Sequence, residues 1–105
     1  MLRKGVLLYM EKELKKQTSL KVGDETTLED LPVGATGSII GVYGEGRIRR
    51  RLFDMGLTPG CEVFVRKRAP LGDPTEVTLR GYELTLRKNE ASYVMMKVTD
   101  LNEGD

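Results

Sequence analysis

The sequence contains no histidine and a single cysteine, Cys61. Without imidazole there is no His-centred nucleophilic triad and no His general base, and the commonest ligand for zinc and iron is missing. One thiol forms no internal disulfide, so the chain suits a reducing compartment, and a cytoplasmic location is expected. Long apolar runs are also absent: the roughly 20 consecutive apolar residues of a membrane span occur nowhere. The opening Met1-Leu2-Arg3-Lys4, followed by Gly5-Val6-Leu7-Leu8-Tyr9-Met10, faintly resembles a secretory leader. Its apolar stretch is shorter than the roughly 7–15 residues of a leader core, and Glu11-Lys12-Glu13 interrupts it at once. Neither sign of charge dominates, with 17 Lys and Arg against 16 Asp and Glu. Net charge therefore gives no pull toward nucleic acid, and such a case would need a local patch.

What is present fits one small domain with a thin core, 105 residues long. Three regions are expected: an N-terminal extension over residues 1–25, a folded domain over 26–99 and a loose acidic tail over 100–105. In the extension, Val6, Leu7, Met10 and Leu14 can share one helical face, with Lys4, Lys12, Lys15 and Lys16 elsewhere. It reads either as a basic amphipathic helix or as a frayed end with Met10 as an alternative start.

From Leu28 the pattern changes to short alternating runs. Thr36–Tyr43 reads as a strand, and Gly44 and Gly46 bracket a turn. In Arg47–Met55, Ile48, Leu52 and Met55 form one helical stripe, and Gly56 stands where a left-handed residue ends a helix. Thr58-Pro59-Gly60-Cys61 predicts a type II turn. The next strand turns Cys61, Val63 and Val65 inward. Ala69–Pro74 is a loop in which Asp73 is expected to cap its own backbone. Val77 and Leu79 face inward on the following strand, Gly81 marks a tight turn or bulge, and Tyr82, Leu84 and Leu86 face inward on the next. Lys88–Ser92 predicts one helical turn, and Tyr93–Val98 closes the fold with Val94, Met96 and Val98 inward. The expectation is a mainly β fold: about five antiparallel strands in a small barrel, one helix between the first two and a short helical turn before the last.

Three segments together resemble the FeoA family of ferrous iron transport proteins: Arg51-Leu52-Phe53-Asp54-Met55-Gly56-Leu57-Thr58-Pro59-Gly60, then Ala69-Pro70-Leu71-Gly72-Asp73-Pro74, then Leu84-Thr85-Leu86-Arg87-Lys88-Asn89-Glu90-Ala91. They occur in the family's order, and with their linking strands they cover Leu28 to Val98. The resemblance implies an SH3-like barrel and an accessory role in bacterial ferrous iron uptake. The partner it implies is FeoB, a membrane transporter with a cytoplasmic GTP-binding part. It also implies structural roles for Leu52, Met55, Gly56, Pro59, Gly60, Pro70, Gly72 and Pro74.

The candidate partner-binding residues are Arg49, Arg50 and Phe53 on the helix, with Leu71 and Asp73 on the loop. Arg47, Arg49, Arg50 and Arg51 crowd the helix N-terminus, where the macrodipole disfavours cations. That cluster reads as a solvated face, as electrostatic docking, as an arginine finger offered to the partner's GTP-binding domain, or as a contact to an RNA backbone. Phe53 falls off the apolar stripe and reads either as an exposed anchor beside Arg49 or as packing under a neighbouring segment. A dedicated iron site is not expected, because carboxylates are scattered and Cys61 points inward. No cofactor and no catalytic constellation is expected, and membrane contact comes only through the partner. Two alternatives keep the fold and change the role: a stand-alone RNA-binding module, against which the missing aromatic stacking motifs count, and a relative of the C-terminal domain of metal-dependent repressors.

Overall fold

The computed structural model describes residues 20–101. The expected amphipathic face of Val6, Leu7, Met10 and Leu14 lies outside these residues. The elements run β1 (Glu25–Thr27), β2 (Thr36–Val42), α1 (Gly46–Asp54), β3 (Glu62–Arg68), β4 (Thr75–Leu79), β5 (Tyr82–Leu86), α2 (Lys88–Ala91) and β6 (Val94–Asp100). They form one antiparallel sheet in the order β1-β6-β2-β3-β4-β5, with β1 and β5 at its edges. The fold is mainly β as expected, with one strand more than the pattern suggested. The extra strand, β1, has no apolar alternation and exists through its pairing with β6 (Glu25 opposite Lys97, Thr27 opposite Met95). The same edge takes up residues just before it: the Gly23 N–H donates to the Val98 carbonyl at 2.7 Å, and the Val98 N–H to the Asp24 carbonyl at 2.8 Å. The closing strand likewise runs past Val98 to Asp100, and Leu101 packs against the core.

Alternation places the core. Cys61, Val63 and Val65 of the β3 segment, Val77 and Leu79 of β4, and Val94, Met96 and Val98 of β6 are all buried. They enclose Leu28, Leu31, Leu52 and Leu57. Leucines buried this completely lose about 2–5 kcal/mol of stability when cut to alanine, through lost transfer energy and the cavity left behind.

Tyr82 departs from the pattern. Alternation turned it inward, yet its ring is 43% exposed. It follows a two-residue turn in which Arg80 and Gly81 both have positive φ, the geometry of a type I′ hairpin. At this end of the edge strand the ring leans over the helix end, and its hydroxyl donates to the Met55 carbonyl at 2.8 Å. Leu84 is half-buried and Leu86 fully buried, so the alternation recovers along β5.

Arg68 is the polar residue that the sequence does not announce. Its Nε donates to Thr75 Oγ1 at 3.0 Å, and its Nη2 to the carbonyls of Leu28 (3.3 Å) and Leu31 (2.9 Å). The side chain thus ties the β1–β2 connection to the sheet. Burial pushes its pKa below the usual arginine value, and the nearby carboxylates of Asp30 and Glu29 oppose that shift.

Candidate partner-binding surface

Helix α1 is short, nine residues, and its position is set by its two ends. Glu45 precedes it in extended conformation without a side-chain cap. At the other end the Leu57 N–H reaches the Leu52 carbonyl (3.1 Å) and the Gly56 N–H the Phe53 carbonyl (2.9 Å). This is a Schellman stop, with Gly56 at φ +97° supplying the left-handed residue and buried Leu57 packing in the same cluster as Leu52. The expected type II turn follows at once: Cys61 N–H to Thr58 carbonyl, 3.1 Å, with Gly60 at φ +90°.

Only Leu52 of the helix is fully buried; Ile48 and Met55 complete the stripe against the core. The remaining side chains fall on two flanks. On one, Arg49 donates from Nε to the Val42 carbonyl at 3.1 Å, and its guanidinium carbon lies 5.1 Å from the centre of the Phe53 ring. Phe53 is half-buried and packs on the core, so the aromatic is both a core neighbour and a platform for Arg49. The other flank holds Arg47, Arg50, Arg51 and Asp54 around a shallow concavity of about 470 Å³. Arg50 lines this concavity while Arg49 does not; helical spacing sets Arg50 about 100° from Arg49 and about 60° from Phe53.

Arg51 reaches from this flank to α2, with Nη2 3.3 Å from Glu90 Oε2. Glu90 is buried, and its other oxygen accepts the Arg87 N–H at 2.8 Å. An acid three residues after the helix entry is a capping signal that the sequence contains and that the reading of single residues passed over.

The loop Ala69–Pro74 is closed on itself by Ala69 N–H to Pro74 carbonyl (3.0 Å) and Gly72 N–H to Ala69 carbonyl (2.7 Å). Asp73 does not cap its own backbone. Its Oδ1 accepts the Lys88 N–H at 3.0 Å, because the first amide of α2 has no partner within its own helix and the loop folds over it. Leu71 is left at the tip, 92% exposed. Helix α1 and this loop are reached from opposite ends of β3, and each is fastened to α2, one through Arg51 and Glu90, the other through Asp73 and Lys88.

Among the described residues no three of His, Cys, Asp and Glu gather closely enough to hold a metal ion, and no helix is long and apolar enough to cross a membrane. Cys61 is buried in the core.

Residues 26–98 match the FeoA domain family. The chain belongs to the FeoA family. Over 75 residues, 71% of its length, it is 31% identical to the Fe(2+) transport protein A/Fe(2+) transporter FeoB fusion protein of Porphyromonas gingivalis, and it spans 9% of that protein's length. A FeoA-like protein of Clostridium acetobutylicum superposes with a TM-score of 0.68 at 36% identity, covering 77% of this chain and 92% of the other. FeoA of Stenotrophomonas maltophilia, described as a prokaryotic SH3 domain protein and solved with zinc, superposes at 0.61 with 29% identity over 69% of this chain and 89% of its own. The SH3-like character implied by the three motifs is thus shared with a family member. A manganese-dependent transcriptional repressor superposes at 0.66 with 16% identity over 70% of this chain and 36% of the other, a likeness of fold alone.

Proposed function

We propose that this FeoA-family chain is a cytoplasmic, non-enzymatic accessory module of ferrous iron uptake that binds and modulates a FeoB-type membrane transporter. One observation carries the reading: in the Porphyromonas gingivalis protein a domain of this type and FeoB are parts of one polypeptide. Domains joined in one chain in one organism are natural candidates to associate as separate chains in another. The docking residues are Arg49 and Phe53 on one flank of α1, Arg50 on the other, and Leu71 with Asp73 on the loop. Arginine and aromatic side chains are favoured interface anchors, and a loop already closed on itself loses little freedom on binding. Contact with the membrane is made through the transporter, and nucleic acid is not a partner.

The test is a calorimetric titration of the full chain against the cognate FeoB, both its GTP-binding part and the whole transporter, with and without nucleotide. Binding that weakens at least tenfold with Phe53→Ala or Arg50→Glu supports the reading and the surface. Binding untouched by either substitution moves the surface elsewhere. No binding in any nucleotide state, together with salt-dependent RNA binding, overturns the function.

A further inference from the structure

A second concavity lies beside α1, on the Arg49 flank. Its volume is about 350 Å³, and it is lined by Ile40, Gly41, Val42, Tyr43, Gly44, Arg49 and Pro59. Three features make it more than a dent between side chains. The first is Ile40. Ile39 opposes Met96 and Gly41 opposes Met95, so Ile40 is an extra residue in β2, a β-bulge. Bulges re-aim side chains; here the chain buries Ile39 and Val42 and leaves Ile40 41% exposed. The second is Tyr43, 58% exposed, whose ring lies against the backbone of Gly41: a Cβ there would stand 2.9 Å from the tyrosine hydroxyl. The third is Arg49. Its Nε is spent on the Val42 carbonyl and its face on Phe53. The terminal amino groups meet no described acceptor, and among the described residues no carboxylate pairs with it. The result is an open groove of mixed polar and apolar lining, with Ile40 and Tyr43 exposed along it and a held guanidinium fork that no described carboxylate compensates.

We infer that this groove binds an extended polypeptide segment of the partner that seats an aliphatic side chain between Ile40 and Tyr43 and a carboxylate on Arg49. The charge argument selects the occupant. Arg49 is the only charged residue among the lining residues, and Arg47, Arg50 and Arg51 crowd the opposite flank of the same helix. A fork with its Nε engaged still offers four N–H donors on its two terminal nitrogens, and a pair of them, one from each nitrogen, suits one carboxylate. The segment before residue 20 fits badly by charge. Residues 1–19 carry five Lys or Arg against two Glu, the wrong sign. The proposal rests on the FeoB reading for the partner's identity, and on Ile40, Tyr43 and Arg49 for the groove itself.

The experiment has two arms on the folded full chain. One is titration with cognate FeoB; the other is a phage-displayed library of random 12-residue peptides. Each is repeated with Tyr43→Ala, Ile40→Ser and Arg49→Lys, after circular dichroism has shown the variants to be folded. The expected result is enrichment of peptides with Asp or Glu beside Leu, Ile or Val, and at least tenfold weaker binding of both FeoB and these peptides by each variant. Amide shifts in isotope-labelled chain should centre on residues 40–44. If FeoB binds but all three variants bind it within twofold, and the library enriches nothing at these residues, the groove is wrong and the FeoB reading stands. If FeoB does not bind while acidic–apolar peptides bind the groove, the groove stands and the partner is another protein. Enrichment of basic peptides, or concentration-dependent shifts at residues 40–44 that report self-association, would overturn the proposal.

Discussion

The Tyr82 hydroxyl donates to the Met55 carbonyl at 2.8 Å and so fastens the end of α1 to the β4–β5 hairpin. The contact works because Gly56 has no side chain: a Cβ there would collide with that hydroxyl, and the residue sits at φ +97°. Gly56→Ala should therefore cost more than backbone strain alone. The expected loss is about 2–3 kcal/mol, from about 1–2 for the left-handed conformation and about 1 for the displaced hydrogen bond. Tyr82→Phe, which removes only the hydroxyl, should cost about 1 kcal/mol. Urea denaturation of the three proteins checks the order.

Glu90 and Arg51 share an ion pair but not its consequences. The Arg51 side chain is 71% exposed and that of Glu90 11%. Glu90→Ala removes the acceptor of the Arg87 N–H as well as the pair, and should cost about 1–3 kcal/mol. Arg51→Ala should cost less than about 1 kcal/mol, since solvent screens the exposed partner. If thermal melts show the arginine variant to be the less stable, α2 is held in some other way.

Arg68 supports three acceptors at once. Arg68→Ala would leave the carbonyls of Leu28 and Leu31 without this donor, with an expected loss of about 2–4 kcal/mol. Arg68→Lys keeps the charge but cannot reproduce a planar fork, so it should recover only part of the loss. Because burial lowers the folded-state pKa of a cation, the unfolded chain holds this proton more tightly. The group's contribution to stability then rises with pH only in the strongly alkaline range just below the usual arginine value. Between pH 6 and 9 it should be constant, which a pH series of chemical denaturation can check.

Leu71 tests the loop without disturbing the fold. With its side chain almost entirely in solvent, Leu71→Ser should change stability by less than about 0.5 kcal/mol. A loss of FeoB affinity in that variant, with an unchanged melting temperature, would assign the tip to the interface; unchanged affinity would remove it.

Much of this architecture is legible in the sequence because it is local. Cys61, Val63 and Val65 alternate and are buried; Gly56 and Pro59-Gly60 each carry a turn geometry that few other residues allow. What escaped depends on distant partners. β1 is three residues whose only warrant is β6, Arg68 finds its acceptors 37 and 40 residues away, and Asp73 finds Lys88 rather than itself. Tyr82 broke the alternation because a two-residue turn and a helix end both act on its ring. In the candidate surface, Arg49 beside Phe53 was visible from helical spacing. The outward Ile40 was not, since a bulge is a property of two strands in register and leaves no mark on either one alone.

The pairing of β1 with β6 has a topological consequence. It brings Gly23 within one hydrogen bond of Val98, so the two ends of the described fold lie side by side at one sheet edge. A short linker from Leu101 to Gly23, with new ends opened at the Arg80–Gly81 turn, should therefore give a circular permutant that folds. Such a chain would keep α1 and the Ile40 groove intact while moving both points of attachment to the opposite edge of the sheet. Comparing its FeoB affinity with that of the parent would separate what the surface contributes from what the direction of tethering contributes.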